Sequence, residues 1–292
     1  MKKTSAKIIL SLGLTAMLAG CSSSAPAAAS DSPTPANRLE EIKARGVLTV
    51  ATEPYFVPNE FIDPTKTGEE QYVGSDMELA KLIAERLGVE LQIVPLEFSQ
   101  VLAAVPEGKY DLAISALAYT PTRAEAMELS IGYNMRDDNP GYGLLIREEN
   151  KDDITGPEDI KDYILITQSG SIQEELCNQQ VPAYKEFKRV GSMTDAFLSV
   201  QESKADVAAV AITNAQLYID SNPDCGMMIV EGFKFDFDNE KYGGTRIGAP
   251  KGETELIEAV NEVLREVNEN GQYKAWYDEY SEYAKSLGIS ND

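Results

Sequence analysis

Short apolar runs alternate with amphipathic helical segments in two separate stretches of this chain of 292 residues. The predicted strands are 47–52, 89–96 and 110–115 in the first stretch and 163–167, 186–190 and 207–212 in the second. Strands that alternate with helices are typical of parallel sheets with helices on both faces. The sequence therefore predicts an α/β protein with two lobes.

Capping residues and glycines mark the predicted helix ends. Ser75 is predicted to cap a helix that ends at Gly88, and Ser171 forms a Ser-x-x-Glu capping box with Glu174. A helix before Gly271 has one apolar face, made of Leu256, Ile257, Val260, Val263, Leu264 and Val267. Residues 272–286 are predicted to form a last helix whose aromatic side chains serve packing.

The composition narrows the class of function. Hydrophobic residues make up 43% of the chain, which suffices for buried cores, and the net charge of −22 argues against nucleic acid and anionic membrane surfaces as partners. The absence of histidine removes the commonest general base and transition-metal ligand. We therefore expect no cofactor and no metal site. Cys177 and Cys225 form either one disulfide or two separate buried thiols.

The first residues have the arrangement of a secretory signal. Lys2, Lys3 and Lys7 precede an apolar run over 8–19 that is too short to span a bilayer, which needs ~20 apolar residues. The run ends in Leu-Ala-Gly-Cys, which resembles the lipobox of bacterial lipoproteins. We expect a lipoprotein signal peptide at 1–20 and an extracytoplasmic protein anchored to the cell membrane only by a lipid on Cys21. The alternative is an ordinary signal peptide with an incidental cysteine.

A segment without large apolar side chains follows. Residues 22–37 consist mainly of Ser, Ala and Pro, and such a segment cannot bury enough surface to fold. We therefore predict a flexible tether over 21–37.

Two segments have the features of an anion-binding site. Thr120 is placed to cap a helix that has Pro121 at its first position, which puts Arg123 in the first turn. Free N–H groups and a guanidinium can together bind a carboxylate, unless Arg123 is a surface residue paired with Glu128. In the second stretch, Gln-Ser-Gly-Ser at 168–171 follows a strand and begins a helix. Open α/β sheets bind ligands at such strand ends. The alternative is that this segment is a plain helix cap.

Further motifs occur in a fixed order along the chain. They are Ala-Thr-Glu-Pro-Tyr-Phe-Val-Pro at 51–58, Val-Gly-Ser-Asp-Met-Glu-Leu-Ala at 73–80, Gly-Lys-Tyr-Asp-Leu-Ala-Ile at 108–114, Thr-Pro-Thr-Arg at 120–123, Lys-Ala-Asp at 204–206 and Asn-Gly-Gln-Tyr at 270–273. Together with the segment at 168–171, they resemble the family 3 extracellular solute-binding proteins, which deliver polar amino acids to ABC importers. The resemblance covers residues 45–288.

The resemblance implies the two-lobe fold of type II periplasmic binding proteins, with two hinge crossovers and a ligand cleft between the lobes. Lobe 1 would comprise 38–142 plus 248–292, lobe 2 would comprise 143–241, and 242–247 would form the second hinge. The glycines at 141, 143, 243 and 244 suit such hinges. The implied protein is a monomer that binds a small polar solute, an amino acid or an analogue, and passes it to an ABC transporter permease.

The resemblance also implies ligand contacts, residue by residue. The residues concerned are Glu53, Phe56, Phe98, Ala116, Ala118, Thr120, Arg123, Gly170 and Ser171. Arg123 would grip the α-carboxylate of the ligand, with Thr120 and the backbone near Ala118 beside it. Ser171 would approach the same carboxylate from lobe 2.

Three of these residues would contact the rest of the ligand. Phe56 and Phe98 match the aromatic positions that sandwich the ligand in the family, although both side chains could equally belong to the core. Glu53 falls where some relatives place an acid that reads a cationic side chain, and it could instead be a solvated carboxylate at a strand end.

The chain departs from the family at three positions. The acid that binds the α-ammonium in the family is replaced by Ala211, a usual hydroxyl by Ala118 and a usual aromatic residue by Asn59. Because burying an unpaired ammonium is expensive, either another acid such as Glu53 or Glu97 binds the ammonium, or the ligand lacks one. In the second case, Arg246 could meet another anionic group of the ligand.

Three functions remain open at this point. The first is a transport receptor that binds its solute without changing it. The second is a dehydratase of small acids on the same fold, for which Glu53, Glu97 or Asp206 would have to supply the general acid or base. The third is a sensory ligand-binding subunit.

Overall fold

The structure is a computed structural model that describes residues 36–135, 139–238 and 243–289. The predicted signal peptide, Cys21 and the predicted tether up to residue 35 lie outside the described residues, as does Tyr242 of the second predicted hinge. Within the described ranges, no helix is both long enough and apolar enough to cross a membrane.

Helices and strands alternate as the sequence predicts, with additional short strands. The helices of the described residues are α1 (Arg38–Arg45), α2 (Ser75–Leu87), α3 (Phe98–Ala104), α4 (Pro121–Ala126), α5 (Ile172–Gln180), α6 (Met193–Gln201), α7 (Ile212–Ser221), α8 (Thr254–Asn270) and α9 (Gln272–Ser286). The strands are β1 (Val47–Thr52), β2 (Tyr55–Phe56), β3 (Glu60–Ile62), β4 (Tyr72–Val73), β5 (Glu90–Pro95), β6 (Leu112–Ala118), β7 (Met127–Leu129), β8 (Tyr142–Arg147), β9 (Ile164–Gln168), β10 (Glu186–Val190), β11 (Val207–Ala211), β12 (Met227–Ile229) and β13 (Thr245–Pro250).

Two five-stranded sheets form the centres of two lobes. Their strand orders are β5-β1-β6-β13-β7 in lobe 1 and β10-β9-β11-β8-β12 in lobe 2. The predicted strands pair in parallel, since β1 lies parallel to β5 and β6, and β9 lies parallel to β10 and β11. The additional strands are antiparallel: β13 runs against β6 and β7, and β8 runs against β11 and β12. These antiparallel strands are the ones that the chain enters after crossing between lobes. The chain enters lobe 2 through β8 and returns to lobe 1 through β13.

Both faces of each sheet carry an apolar core covered by helices. In lobe 1, the predicted apolar face of α8 is fully confirmed, since all six predicted residues are buried and the helix ends at Gly271. Each such side chain contributes about 2 kcal/mol on burial. Tyr273 and Tyr277 of α9 join the same core, as predicted for packing aromatics. Cys177 is buried, Cys225 is half-buried, and both are free thiols.

A small three-stranded sheet of β2, β3 and β4, which we did not predict, packs through β3 and β4 against α2 of lobe 1. Its close approach to α2 explains Gly74, whose φ is +128° and where a Cβ atom would lie 2.2 Å from the Asn59 carbonyl oxygen. Ser75 is therefore the first residue of α2 and not its cap, and its hydroxyl donates to the Tyr273 hydroxyl at 3.0 Å.

Candidate functional site

Arg123 is a buried cation held at the boundary between the lobes. The predicted cap is confirmed: the Thr120 hydroxyl accepts a hydrogen bond from the Arg123 N–H at 3.1 Å, with Pro121 at the first helical position. The guanidinium donates to the Ala118 carbonyl at 2.7 Å and, across the cleft, to the Gly170 carbonyl at 2.9 Å. A guanidinium has five N–H donors, so donors remain for an anion.

The alternative of a surface ion pair is wrong for Arg123. Only 7% of the residue is exposed, and Glu128 pairs with Lys251 instead. Within the described residues, Arg123 forms hydrogen bonds to backbone carbonyls and contacts the face of the Phe98 ring, 5.4 Å from its centroid. Burial lowers the pKa of Arg123 to about 10, so the guanidinium remains charged at neutral pH.

The opposite side of the cleft is the start of α5 in lobe 2. Ser171 caps this helix by accepting from the Glu174 N–H at 3.1 Å, while the Glu174 carboxylate accepts from the Gly170 N–H at 2.7 Å. The predicted cap at Ser171 is confirmed, but the Glu174 carboxylate accepts from the N–H one residue before the cap instead of from the Ser171 N–H. Gly170 has a φ of +75°, and a Cβ atom there would lie 3.0 Å from Leu102 of lobe 1. The left-handed turn and the close lobe contact both require glycine.

A cavity between Arg123 and the start of α5 is lined by residues of both lobes. These residues are Glu53, Phe56, Glu60, Phe98, Ser115, Ala116, Ala118, Arg123, Tyr142, Gln168, Ser171, Ile172 and Gln173. The cavity has a volume of about 40 Å³, which is room for a few water molecules.

The cavity brings together most of the residues predicted to contact a ligand. Seven of the predicted residues line it: Glu53, Phe56, Phe98, Ala116, Ala118, Arg123 and Ser171. Thr120 and Gly170 do not line it, but both bond to Arg123 and line a neighbouring groove. Phe98 is buried in lobe 1, whereas Phe56 is half-buried and packs against the lobe 2 core.

The backbone of β6 is distorted where it meets the cavity. The strand extends to Ala118, three residues beyond the predicted end at Ser115. Ala116 has a φ of 45°, the left-handed region that residues with a Cβ rarely adopt, and the pairing of β6 with β13 is irregular beside it. The Ala116 N–H donates to Asp76 at 2.9 Å, which holds this conformation in place.

Glu53 is buried at the end of β1 and is not a solvated carboxylate. The residue is 2% exposed, and its Oε1 atom has no hydrogen-bond donor within the described residues. Burial raises the pKa of Glu53 to about 8, the charge of Asp195 adds to the rise, and a hydrogen bond with Gln168 opposes it.

Glu60 is a second cavity acid, which sequence reasoning missed. It is 1% exposed, its Oε1 accepts from the Ser115 hydroxyl at 3.3 Å, and its Oε2 has no donor in the described part of the chain. Burial, the charges of Asp76 and Glu53 and a side-chain hydrogen bond with Asp76 hold the pKa of Glu60 well above its usual range, and the hydrogen bond from Ser115 opposes this rise. The signal in the sequence was weak, because Glu60 lies in a three-residue strand next to Phe61.

Asp76 completes this acid cluster behind the cavity wall. Its carboxylate accepts from the hydroxyls of Tyr273 at 2.5 Å and Tyr133 at 3.0 Å, in addition to the Ala116 N–H. Burial raises the pKa of Asp76, and these donors oppose the rise. Asp76 is therefore a well-satisfied acid, and the Glu60 carboxyl is one of its hydrogen-bond partners.

Other residues weighed from the sequence lie outside the cavity. Asp206 pairs with Arg147 at 3.0 Å and accepts from the Ile164 N–H. Arg246 donates to the carbonyls of Gly243 and Thr245. Asn59 donates to the Tyr273 hydroxyl at 2.9 Å.

Glu97 and Ala211 also fail to reach the cavity lining. Glu97 is exposed and lines a separate groove with Glu53 and Asp195. Ala211 precedes α7 and supplies no acid to lobe 2. Among the described lining residues, Glu53 and Glu60 are thus the acids and Arg123 is the cation.

Comparisons with known proteins agree with this geometry. The family described as bacterial extracellular solute-binding proteins, family 3, matches residues 48–283. A curated relative, the arginine-binding extracellular protein ArtP of Bacillus subtilis, is 27% identical over 79% of this chain and 86% of its own length.

Solved structures share the fold. The amino acid ABC transporter substrate-binding protein AbpA of Streptococcus pneumoniae, bound to L-arginine, superposes with a TM-score of 0.73 and 27% identity, covering 86% of this chain and 99% of its own. The ancestral amino acid-binding protein AncCDT-1, described as a precursor of cyclohexadienyl dehydratase, superposes with a TM-score of 0.69 and 26% identity, covering 83% and 98% of the two chains. The two-lobe type II fold predicted from the sequence is thereby confirmed. With its family match and its cleft between two α/β lobes, the chain belongs to the bacterial extracellular solute-binding proteins of family 3.

Proposed function

We propose that this chain is the solute receptor of an ABC importer and that it binds a polar amino acid, or a related small carboxylate, by closure of its two lobes. The observation that carries the proposal is Arg123, a buried guanidinium that faces a cavity between the lobes and bonds only to backbone carbonyls in the described residues. Arginine offers a bidentate grip on a carboxylate. Ser171 at the start of α5 would meet the same carboxylate from lobe 2.

Lobe closure is supported by the contacts across the cleft. Arg123 bonds to Gly170 in lobe 2, and Asn214 of α7 donates to the Val57 carbonyl of lobe 1 at 2.6 Å. The cavity is small, so a solute of amino-acid size requires the lobes to separate for entry. The two connections between the lobes meet where Tyr133 and Thr245 pair as an isolated antiparallel bridge. We propose that the two lobes move about two hinges near this bridge, one at 141–143 and one at 242–247. Lobe 1 would comprise 38–142 plus 248–292, and lobe 2 would comprise 143–241.

A thermal-shift screen of amino acids, their decarboxylated analogues and small dicarboxylates tests the carboxylate grip. A ligand that binds only the native state raises the melting temperature. We expect Arg123→Ala to abolish the shift caused by the best ligand, with at least a hundredfold weaker binding, while the solute-free protein stays folded. Arg265→Ala, which removes an exposed arginine paired with Glu258, is the matched control. An undiminished shift in Arg123→Ala would remove Arg123 from the site.

The lipid anchor is a separate part of the proposal. The lipobox at 18–21 supports it, and Cys21 is the residue that would carry the lipid. We expect Cys21→Ala to release the protein from the membrane fraction of bacterial cells. Persistence of the variant in that fraction after a high-salt wash would count against lipidation.

A second candidate, catalysis on a small acid, is favoured by one observation. Glu53 combines burial in the cleft with a pKa of about 8, which suits a general acid or base, and AncCDT-1 is described as a precursor of a dehydratase. Mass spectrometry of the best ligand after incubation with the protein separates the two. The transport proposal predicts unchanged ligand, whereas loss of water from the ligand would establish the enzyme.

A further inference from the structure

We propose that Tyr142 is a solute-binding residue of the cavity, and that its hydroxyl donates a hydrogen bond to the carboxylate that Arg123 grips. The inference rests on the proposed function, because it adds a residue to the same site. From the sequence, Tyr142 is expected only to lie in a hinge, between the glycines at 141 and 143.

The first argument is the position of the Tyr142 ring in the cavity wall. Tyr142 is the first residue of β8 and pairs directly with Ala211, the last residue of β11. Side chains directly opposite each other in an antiparallel pair lie on the same face of the sheet. Tyr142 lines the cavity, whereas Ala211 is not among the lining residues. The tyrosine therefore forms the wall at this register position, and the small alanine leaves the space that its ring takes.

The second argument is the electrostatic surroundings of the Tyr142 hydroxyl. Burial raises the pKa of Tyr142 to about 12, and the charge of Arg123 opposes the rise. The phenol is therefore protonated at neutral pH and can donate a hydrogen bond. Arg123 lines the same cavity and keeps donors beyond those bound to Ala118 and Gly170. A guanidinium and an O–H donor that share one cavity suit an anion, because two donors can satisfy both oxygens of a carboxylate.

The third argument is the accounting of hydrogen bonds. The hydroxyls of Tyr133 and Tyr273 both donate to Asp76. The Tyr142 hydroxyl, in contrast, makes no hydrogen bond within the described residues, and its ring is held by an edge-to-face contact with Phe237, with 5.2 Å between the ring centroids. Buried tyrosine hydroxyls usually have a hydrogen-bond partner. An acceptor on the solute would supply it.

Isothermal titration calorimetry with three polar amino acids and one dicarboxylate tests the contact. The probes are L-arginine, L-histidine, L-glutamine and succinate, and the variant is Tyr142→Phe, which removes the hydroxyl and keeps the ring against Phe237. Hydrogen bonds to charged groups are about twice as strong as neutral ones. We therefore expect the probe that binds most tightly to bind Tyr142→Phe at least tenfold more weakly. Tyr184→Phe, which removes the hydroxyl of an exposed tyrosine, is the matched control and should leave the affinity unchanged.

The unfolding of the solute-free protein distinguishes a ligand contact from a structural role. Because the Tyr142 hydroxyl has no acceptor in the described part of the chain, its removal breaks no hydrogen bond there. We expect the midpoint of urea unfolding to be the same for Tyr142→Phe and for the parent protein. A lower midpoint together with weaker binding would make Tyr142 a structural residue and overturn the inference.

The outcomes separate this contact from the proposed function. Unchanged or tighter binding by Tyr142→Phe, with binding lost in Arg123→Ala, overturns the contact and leaves the receptor with its carboxylate grip intact. Weaker binding by Tyr142→Phe with undiminished binding by Arg123→Ala contradicts the grip, and with it the carboxylate shared by two donors. Binding of none of the four probes to the parent protein overturns both the carboxylate receptor and the contact.

Discussion

Asp111 and Glu60 are both buried acids of lobe 1, but they differ in what surrounds them. Asp111 accepts hydrogen bonds from Arg38 at 2.8 Å, from Arg45, and from the N–H and hydroxyl of Thr49 at 2.7 Å. Glu60 accepts from one hydroxyl at 3.3 Å and keeps one oxygen without a donor in the described residues.

The contrast separates an acid that the protein pairs with cations from one that it leaves without a cation. A buried carboxylate is expensive unless it is paired and hydrogen-bonded. At Asp111 the protein supplies these partners itself, so the carboxylate stabilises the fold by joining α1 to the sheet. At Glu60 the described residues supply no cation, and burial favours the protonated form of this carboxyl, whose pKa is raised well above its usual range. Asp111 and Asp206 both belong to the sequence motifs, and both turn out to be of the structural kind.

The largest expected effect is on the stability contributed by Asp111. We expect Asp111→Asn to lower the free energy of unfolding by about 3 kcal/mol, because two arginines lose their shared anion. Urea unfolding of the solute-free protein measures the change. If Asp111→Asn lowered the free energy of unfolding no more than Glu60→Gln does, the two acids would not differ in their contribution to stability.

The next effect concerns the pH dependence of Glu53. Its pKa is about 8 in the folded protein against 4.5 in an unfolded chain, so its protonated form stabilises the native state below pH 4.5, and this contribution is lost as the pH rises to 8. Between pH 6 and pH 8 we expect a loss of about 2 kcal/mol from this group. Glu53→Gln should flatten the curve. An equally steep curve for the variant, measured by urea unfolding across this range, would contradict the burial of an ionisable Glu53.

A smaller effect is expected at the hydroxyl that holds Asp76. Tyr273 donates to Asp76 and accepts from Asn59 and Ser75, so Tyr273→Phe leaves buried groups without a partner. We expect a loss of about 1.5 kcal/mol, read from the midpoint of thermal or urea unfolding. Tyr280→Phe, which breaks one half-buried hydrogen bond to Glu78, serves as the comparison and should cost less.

The last effect concerns Glu60 in the solute-free protein and has the opposite sign to that of Asp111. Because burial holds the pKa of Glu60 well above its usual range, its contribution to stability is lost as the pH rises, and we expect Glu60→Gln to be more stable than the parent protein at pH 8. A strong destabilisation in the same unfolding assay would mean that Glu60 is a structural acid like Asp111.

The sequence was informative where local signals determine the structure. The Thr120-Pro121 helix start, the apolar face of α8 and the alternation of strands and helices are local or periodic, and each was predicted. Arg123 could be singled out because its position follows from that helix start. The resemblance implied two crossovers between the lobes, but the bounds of β8 and β13 and their antiparallel pairing were not predicted, because they depend on how the chain passes between the lobes.

Glu60 could not be predicted for a different reason. Glu60 lies in β3, and its burial depends on two segments distant in the sequence, namely α2 with Asp76 and β6 with Ser115. No spacing in the sequence brings these groups together. The lack of a donor at a buried oxygen becomes visible only when every neighbour is in place.

A crystal structure with the solute selected by the ligand screen tests the central claim most directly. We expect a carboxylate of the solute within hydrogen-bond distance of the Arg123 guanidinium, in the cavity between the lobes. A solute bound outside this cavity, or one that leaves Arg123 without an anion, would contradict the proposed function.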